Sequence, residues 1–320
     1  MKRVAVLRGG PSKEYPVSME TGKAVLAALE QLQYAHKDVV ITRQGEWLDN
    51  GKTRRPEQAL EGIDVVFIAL HGEYGEDGQV QRLLERLYIP FTGSRSMPSA
   101  IAFNKELTKQ TLREHGVRFP RHAKVTRETQ DSFLANLDNL FEEVGESIFI
   151  KPVASGSSVG AAYAPTKERV LELVPTLLEE YEQLLLEEFI LGKEATVGVL
   201  NDFRGEALYA LPVIEVVPPR KDVFYSYENK YDGTTDHVCP GRFTYAEKRE
   251  LEALAKAAHH ALGCDQYSRS DFMVRNGEVY FLETNTLPGF TSQSNFPIAA
   301  KAVGLEFPQL VQHLIETARV

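Results

Sequence analysis

Apolar runs and amphipathic stretches alternate along the first hundred residues of the chain. Residues 3–7, 38–41 and 65–70 are apolar runs that predict strands, and the last has the continuous apolar character of strands buried in parallel sheets. Residues 18–32, after the first strand, have the spacing of an amphipathic helix. Strands that alternate with helices are typical of a doubly wound α/β sheet, which we expect to extend to about residue 95.

The rest of the chain predicts two α+β units. In the first, strands are expected at 147–151, 161–164 and 184–190, and a helix at 167–181. In the second, strands are expected at 194–200 and 208–217, and helices at 245–262 and 307–318. We therefore predict three domains: an N-terminal α/β domain at residues 1–100, a central domain at 101–191 and a C-terminal domain at 192–320.

A hairpin near the end of the chain is the most informative segment. Residues 270–274 and 279–283 have the pattern of two strands, and Asn276-Gly277 between them is a strong hairpin-turn signal.

The hairpin carries polar side chains that suit a metal site. Period-2 alternation is expected to send Asp271, Glu283 and Asn285 toward one region near the open end of the hairpin. Two carboxylates and an amide oxygen suit Mg²⁺, which takes its other ligands from water and nucleotide phosphates. Arg269, on the same face as Asp271, would add a fixed positive charge. The alternative is an acidic hairpin face with no ligand.

Composition limits the class of protein. The 320 residues are 43% hydrophobic and 25% charged, with a net charge of -9, which argues against a nucleic-acid-binding surface. Cys239 and Cys264 are too few for a disulfide framework and lack metal-ligand spacing. The first residues are too short an apolar run for a signal peptide, and no run approaches the roughly 20 apolar residues of a membrane span. We expect a soluble, cytoplasmic protein with no membrane partner.

Three loops follow predicted strands and contain candidate binding groups. Lys151 is followed by a Gly/Ser loop at 155–160, whose backbone N–H groups suit phosphate oxygens, although such turns are also common without a ligand. The polar loop 71–78 begins with His71, which is either a site residue or a structural histidine. Residues 187–190 suit either a hinge that contacts an adenine or an ordinary strand end at a domain junction.

The longest irregular segment, 218–240, is polar but contains three tyrosines and a lysine in residues 225–231. Long loops in compact domains are usually lids or disordered linkers. Tyrosines and lysine are a poor linker composition, so we interpret the segment as a lid.

Taken together, these motifs resemble a known family. The segments HGEYGEDG, KPVASGSSVG, EEFILGKEATVGVL, YENKY, SRSDF and FLETNTLPGFTSQS occur in the order found in D-alanine–D-alanine ligases of the ATP-grasp superfamily. The resemblance runs from Arg3 to about the last predicted helix. It implies an ATP-grasp fold of three domains with ATP held between two sheets. It also implies ATP and Mg²⁺ as cofactors, with Mn²⁺ as a possible substitute, and two D-amino acids as substrates.

The resemblance further implies a reaction and a set of site residues. The first amino acid would be phosphorylated by ATP, and the second would displace the phosphate to form a peptide bond for peptidoglycan precursors; we expect a homodimer. The metal ligands would be Asp271, Glu283 and Asn285. ATP would be bound by Lys105, Lys151, Ser158, Glu187, Glu188, Ile190, Glu194 and Lys230. The catalytic set would be Glu14, Ser157, Tyr231, Arg269, Gly289 and Ser294. The amino acids would also contact His71 and Asn295.

Three positions depart from the family pattern. Pro16 replaces an acidic residue and predicts a stiffened or rearranged loop after Glu14. Asn104 replaces the usual Asp before Lys105. Asn295 replaces an apolar residue and either contacts the second substrate, points to solvent or caps a helix that begins at about Phe296. The alternatives are therefore a ligase with another second substrate, such as D-serine or D-lactate, or a nucleotide-binding regulatory protein without turnover.

Overall fold

The computed structural model describes residues 2–156, 159–219 and 235–320. These residues form a mixed α/β structure organised around a five-stranded, a four-stranded and a six-stranded sheet. The five-stranded sheet comprises β1 (Arg3–Gly9), β2 (Ala35–Ile41), β3 (Trp47–Asp49), β4 (Lys52–Arg54) and β5 (Val65–Ile68), in the order β4-β3-β2-β1-β5.

The first sheet is parallel only at its centre. Strand β1 pairs in parallel with β2 and β5, as expected for a doubly wound unit, whereas β3 and β4 extend the edge in antiparallel orientation. Strand β5 is buried along its whole length, as its apolar sequence predicts. Helices α1 (Tyr15–Gln31), α2 (Pro56–Ala59) and α3 (Gln79–Arg86) follow β1, β4 and β5. The short β3–β4 hairpin was not predicted.

The four-stranded sheet is antiparallel. It comprises β6 (His122–Thr126), β7 (Ile148–Pro152), β8 (Ala162–Ala164) and β9 (Gln183–Glu188), in the order β6-β9-β7-β8. Helices α6 (Gln130–Ala135), α7 (Leu137–Val144) and α8 (Lys167–Glu180) pack on it through a common apolar core. Before this sheet, α4 (Ser96–Phe103) and α5 (Lys105–Leu112) connect it to the first.

The six-stranded sheet follows directly. Its main order is β13-β12-β10-β14-β15, with β11 paired to β10. The elements are β10 (Lys193–Phe203), β11 (Glu206–Ala210), β12 (Ile214–Val217), β13 (Asp236–Val238), α9 (Tyr245–Ala261), β14 (Tyr267–Arg275) and β15 (Glu278–Asn285). The prediction of one strand at 208–217 was wrong, because the chain leaves the sheet at residues 211–213 and β11 and β12 pair with different parts of β10.

The end of the chain returns to the first sheet. Helix α10 (Asn295–Ala302) is followed by α11 (Phe307–Thr317), which packs on α1. Leu310 and Ile315 of α11 therefore share one buried core with β1 and β5. The domain limits at residues 100 and 191 remain a prediction. Within the described ranges, no helix combines the length and apolar character needed to cross a membrane.

Candidate active site

A cleft of about 270 Å³ lies between the four-stranded and six-stranded sheets. One wall includes Phe149, Lys151 and Glu187 from β7 and β9, and the other includes Asp271 and Glu283 from β14 and β15. The apolar part of the lining also includes Val159, Ile190, Val216, Met273 and Leu282. Ligand sites commonly combine an apolar lining with a few convergent charged groups, and this cleft has both.

Glu187 is the centre of a buried charge cluster. One of its carboxylate oxygens lies 2.7 Å from Nζ of Lys151, and the other lies 2.9 Å from Nζ of Lys109. Burial alone would raise the pKa of Glu187, but the two lysines outweigh that effect and lower its pKa to about 2. Glu187 therefore lines the cleft and also holds the Lys151 ammonium, whereas its contact with an adenine stays a prediction.

Lys105 lies on the opposite side of the same cluster. It is the first residue of α5 and is buried, with Nζ donating to the carbonyl of Ser155 at 2.7 Å and lying 3.4 Å from the Glu283 carboxylate. Burial lowers the pKa of Lys105, and Lys151 nearby acts in the same direction. Asn104 precedes it as the N-cap of α5, where its side chain accepts a hydrogen bond from the Leu107 N–H at 3.0 Å. The Asn104 side chain therefore stabilises the first turn of α5.

The hairpin turn alone would not bring the two carboxylates together. Asn276-Gly277 adopts positive φ at both residues, as a two-residue turn requires, and Arg275 pairs with Glu278. Strict alternation from this pair would place Asp271 opposite Leu282, with Glu283 on the other face of the sheet. The expectation that period-2 alternation unites the acidic groups was therefore wrong in its reasoning.

A β-bulge in β15 brings them to one face. The register passes from the pair Phe272–Phe281 directly to the pair Asp271–Glu283, so Leu282 is the extra residue. Beyond the bulge, Asn285 is opposite Arg269. The predicted convergence of these residues is therefore present in the structure, through a register shift.

The converged side chains fit a Mg²⁺ site. Asp271 accepts hydrogen bonds from Arg269 at 2.8 and 2.9 Å and from the Asn285 amide at 3.3 Å, while Glu283 faces it across the strands. Among the described residues, no three His, Cys, Asp or Glu side chains form a metal cage. The donors present are two carboxylates and one amide, which suits an ion that completes its shell with phosphate oxygens and water.

Glu14 is buried against two glycines from other parts of the chain. A Cβ on Gly156 would lie 2.5 Å from its Oε2, and a Cβ on Gly72 would lie 2.8 Å from the same atom. Only residues without a side chain allow this approach. The carboxylate thus lies where the loop after β1, the loop after β5 and the Gly/Ser loop after β7 meet. Pro16 occupies the first turn of α1 and is exposed; its missing N–H would have no helical partner there.

His71 is a fully buried neighbour of this region. Its Nε2 lies 2.8 Å from the Thr21 hydroxyl, its Nδ1 lies 3.1 Å from the Leu287 carbonyl, and Glu76 is 3.7 Å away. Burial by itself would lower the pKa of His71, but Glu76 and Glu14 reverse the effect and raise it. The ring links β5, α1 and the loop after β15.

The loop after β15 brings Gly289 and Ser294 together. A Cβ on Gly289 would lie 3.0 Å from the Ser294 hydroxyl, which accepts from the Thr291 N–H at 3.1 Å. Ser294 is also the N-cap of α10, and Asn295 is its first residue. The suggestion that Asn295 caps this helix is therefore wrong. Its Oδ1 is buried and makes no hydrogen bond of ordinary geometry among the described residues, although the neighbouring His237 ring interacts with it as a donor.

The rim of the cleft carries further acidic residues. Glu188 binds Arg121 of the loop before β6 at 2.9 Å and Arg275 of β14 at 2.8 Å, which ties the two sheets together. Glu194 and Ile190 also line the cleft, and their contacts with ATP stay a prediction. The predicted residues Ser157, Ser158, Lys230 and Tyr231, and the lid centred on the last two, lie outside the described residues.

Sequence reasoning missed three groups near the site. Lys109 lies one helical turn after Lys105, a spacing that could have indicated a shared helix face. Glu215 lines the cleft and binds Arg242 at 2.8 Å, but its local sequence gives no comparable signal. Glu76 lies within the HGEYGEDG motif, yet nothing in that motif distinguishes it from the other acidic residues.

The chain matches two family models along most of its length. The D-ala D-ala ligase N-terminus model matches residues 3–59 and 49–94, and the C-terminus model matches residues 111–316. A D-alanine–D-alanine ligase from Desulforudis audaxviator is 39% identical over 322 residues, which cover 100% of this chain and 99% of that protein.

Solved structures agree with this match. The VanG D-Ala:D-Ser ligase of Enterococcus faecalis has a TM-score of 0.82 and 28% identity, and 98% of each chain is covered. A D-alanine–D-alanine ligase of Bacillus anthracis, complexed with ATP, has a TM-score of 0.79 and 30% identity, covering 99% of this chain and 97% of that one. The resemblance carried by the sequence motifs is confirmed, and so is the ATP-grasp fold. This chain belongs to the D-alanine–D-alanine ligase family.

Proposed function

We propose that the protein is an ATP- and Mg²⁺-dependent ligase that joins two D-alanines in peptidoglycan precursor synthesis. The observation that carries this proposal is the arrangement of charge around the cleft. Asp271 and Glu283 face each other on one wall, and buried Lys105 and Lys151 flank the same space. Phosphoryl transfer depends mainly on the positioning of phosphates and the neutralisation of their charge, which such groups supply. A homodimer in the cytoplasm is part of the proposal.

The proposed reaction has two steps. A carboxylate oxygen of the first D-alanine forms a bond to the γ-phosphorus of ATP while the bond to ADP breaks, which gives an acyl phosphate. The amine of the second D-alanine then attacks the acyl carbon, loses a proton, and displaces inorganic phosphate. Bound Mg²⁺, held by Asp271, Glu283 and Asn285, would neutralise phosphate charge. Lys105 and Lys151 would add fixed positive charge at the same phosphates.

The remaining roles follow from the positions of the side chains. Buried Glu14 would bind the ammonium group of the first substrate, with His71 close by. Two hydrogen bonds to Asp271 orient the Arg269 guanidinium. Together with the Gly289 N–H, this guanidinium would stabilise the oxyanion of the second step. The Ser294 hydroxyl would bind the carboxylate of the second substrate. Glu14 and Arg269 would each meet an opposite charge, and the Gly289 N–H and the Ser294 hydroxyl would donate hydrogen bonds to negatively charged oxygens.

A second candidate differs only in the second substrate. The buried Oδ1 of Asn295, whose contact with the His237 ring lacks the geometry of an ordinary hydrogen bond, favours an amino acid with a small hydrogen-bond donor, such as D-serine. The VanG protein, named as a D-Ala:D-Ser ligase, has the same fold. This candidate keeps every step of the mechanism and changes only the neighbour of the Asn295 side chain.

Phosphate release over a panel of D- and L-amino acids tests both candidates. We expect phosphate release with ATP, Mg²⁺ and D-alanine, and the dipeptide detected by mass spectrometry in equal amount. A mixture of D-alanine and D-serine would yield the mixed dipeptide if the second candidate holds. ATP binding without phosphate release for any amino acid would overturn the ligase proposal in favour of a regulatory nucleotide-binding protein.

A further inference from the structure

A buried lysine lies behind the wall of the cleft. The Lys109 side chain is 4% exposed, and its Nζ lies 2.9 Å from Glu187, whose side chain is 2% exposed. The other oxygen of Glu187 lies 2.7 Å from Lys151, which lines the cleft. Lys109 contacts the cluster from the side away from the cleft lining, so it reaches a ligand only through Glu187.

Helix α5 sends its two lysines to opposite walls. Lys105 and Lys109 are four residues apart and share one face of the helix. The first approaches Glu283 of the six-stranded sheet and the second approaches Glu187 of the four-stranded sheet. Nζ of Lys109 also lies 4.8 Å from the centroid of the Phe119 ring, which is a cation–π contact.

We propose that Lys109 is a positioning residue for ATP, which keeps Glu187 ionised so that Lys151 remains available to a phosphate group. This inference rests on the proposed function. When a polyanion binds next to Lys151, Glu187 must share that cation with the ligand. A buried carboxylate without a full counter-charge is strongly unfavourable, and Lys109 supplies the second cation.

The other charged groups around Glu187 do not replace Lys109. From α5 it is faced by Lys105, which is already paired with Glu283, and from β7 by Lys151, which the ligand would share. Its register partner on β6 is His122, whose Nδ1 lies 3.1 Å from the Pro120 carbonyl. Burial raises the pKa of Glu187, and Lys109 is the largest influence that lowers it. Without Lys109, ATP binding should draw a proton onto Glu187.

Calorimetry of ATP binding in the presence of Mg²⁺, without amino acid, tests this linkage. Between pH 7 and 9, the wild type should bind with no proton uptake at Glu187. Lys109→Met should bind roughly tenfold more weakly at pH 9 and regain affinity as the pH falls, because binding now takes up a proton. Titrations in buffers of different ionisation enthalpy measure that uptake directly. Lys109→Arg, which keeps the cation, should restore the wild-type pH profile.

Two further variants separate this role from a structural one. In Lys109→Met/Glu187→Gln the proton uptake should disappear, because the titrating group is gone. Lys256→Met removes a lysine from an exposed pair with Glu206, 3.0 Å apart, and should change neither affinity nor proton uptake. Thermal melting of each variant checks that it is folded.

The outcomes distinguish the role of Lys109 from the proposed function. A wild type that binds no ATP overturns the proposed function itself. A wild type that binds ATP, with a folded Lys109→Met of equal affinity and no proton uptake, overturns only the role of Lys109. Proton uptake that persists in Lys109→Met/Glu187→Gln would also overturn only the role of Lys109.

Discussion

Asp271 and Glu283 face each other across β14 and β15 because the bulge at Leu282 shifts the register by one residue. Phe281, before the bulge, stays in the core and packs edge-on against Phe272, with ring centroids 5.6 Å apart. After the bulge, Glu283 turns to the cleft, where it lies near Lys105. One irregular residue therefore separates a strand segment that stabilises the fold from a segment that serves the site.

Replacing Glu283 tests the metal assignment. Glu283→Gln should reduce turnover by roughly 100-fold, since the amide cannot neutralise a cation held near the phosphates. The free energy of unfolding should fall by about 1–3 kcal/mol, because buried Lys105 loses the charge of its acidic partner although the amide oxygen can still accept from it. Steady-state kinetics as a function of Mg²⁺ concentration and thermal melting measure the two effects.

Glu278→Gln, at the turn end of the same strand, serves as the control and should leave turnover unchanged. Wild-type activity at low Mg²⁺ in Glu283→Gln would contradict the assignment.

Gly156 tests the contact between the Gly/Ser loop and Glu14. In Gly156→Ala the new methyl would overlap Glu14 Oε2, so either the carboxylate or the loop must move. We expect the KM for D-alanine to rise by about tenfold or more, with a smaller change in the KM for ATP. Initial rates with each substrate varied in turn measure the split.

A glycine in open space provides the comparison. Gly116 has positive φ, and no atom lies within 4 Å of the place that a Cβ would occupy. Gly116→Ala should therefore affect stability through backbone strain and leave both KM values alone. Equal KM values for D-alanine in Gly156→Ala and the wild type would show that the carboxylate of Glu14 is not positioned by this loop.

The sequence pattern predicted that the polar residues of the hairpin converge, but it did not explain the geometry that brings them together. Asp271 and Glu283 were recognisable as acidic residues at the end of a hairpin, but alternation assumes a regular register and does not encode the bulge at Leu282. Lys109 was missed for a related reason. Its partner Glu187 lies in β9 of the four-stranded sheet, far from Lys109 in the sequence. No local sequence pattern pairs a helix residue with so distant a strand residue. The break at residues 211–213 likewise follows from the pairing of β10 with two partners.

The low pKa of Glu187 predicts a specific acid sensitivity. Its pKa is lowered from 4.5 to about 2 in the folded protein, so its contribution to stability is fully present above pH 4.5 and is lost as the pH falls toward 2. At pH 7, Glu187→Gln should lower the free energy of unfolding by about 3–5 kcal/mol, because two buried lysines lose their counter-charge. The difference between variant and wild type should shrink steadily below pH 4.5.

Urea unfolding at a series of pH values measures that difference. Glu206→Gln, which removes the acidic partner of Lys256 in an exposed pair, should show a difference of about 1 kcal/mol or less throughout the range. A Glu187→Gln deficit that stays constant from pH 7 to pH 2 would contradict the ionised Glu187 cluster, since a packing defect alone has no such pH dependence.

Asn295 tests the identity of the second substrate. Its Oδ1 is buried directly after the N-cap Ser294 and makes no hydrogen bond of ordinary geometry among the described residues. A D-alanine methyl group would leave this acceptor with only its poorly aligned contact to the His237 ring, whereas the hydroxyl of D-serine would donate to it. An unsatisfied buried polar group costs ~1–3 kcal/mol, which corresponds to roughly tenfold or more in discrimination.

Asn295→Leu should therefore shift the ratio of kcat/KM for D-serine over D-alanine, as second substrate, by about tenfold toward D-alanine. Competition between the two amino acids, with dipeptides quantified by mass spectrometry, measures the ratio, and Gln293→Leu at an exposed neighbouring position is the control. If the ratio is the same in Asn295→Leu and the wild type, the acceptor does not face the second substrate, and D-serine has no advantage at this site.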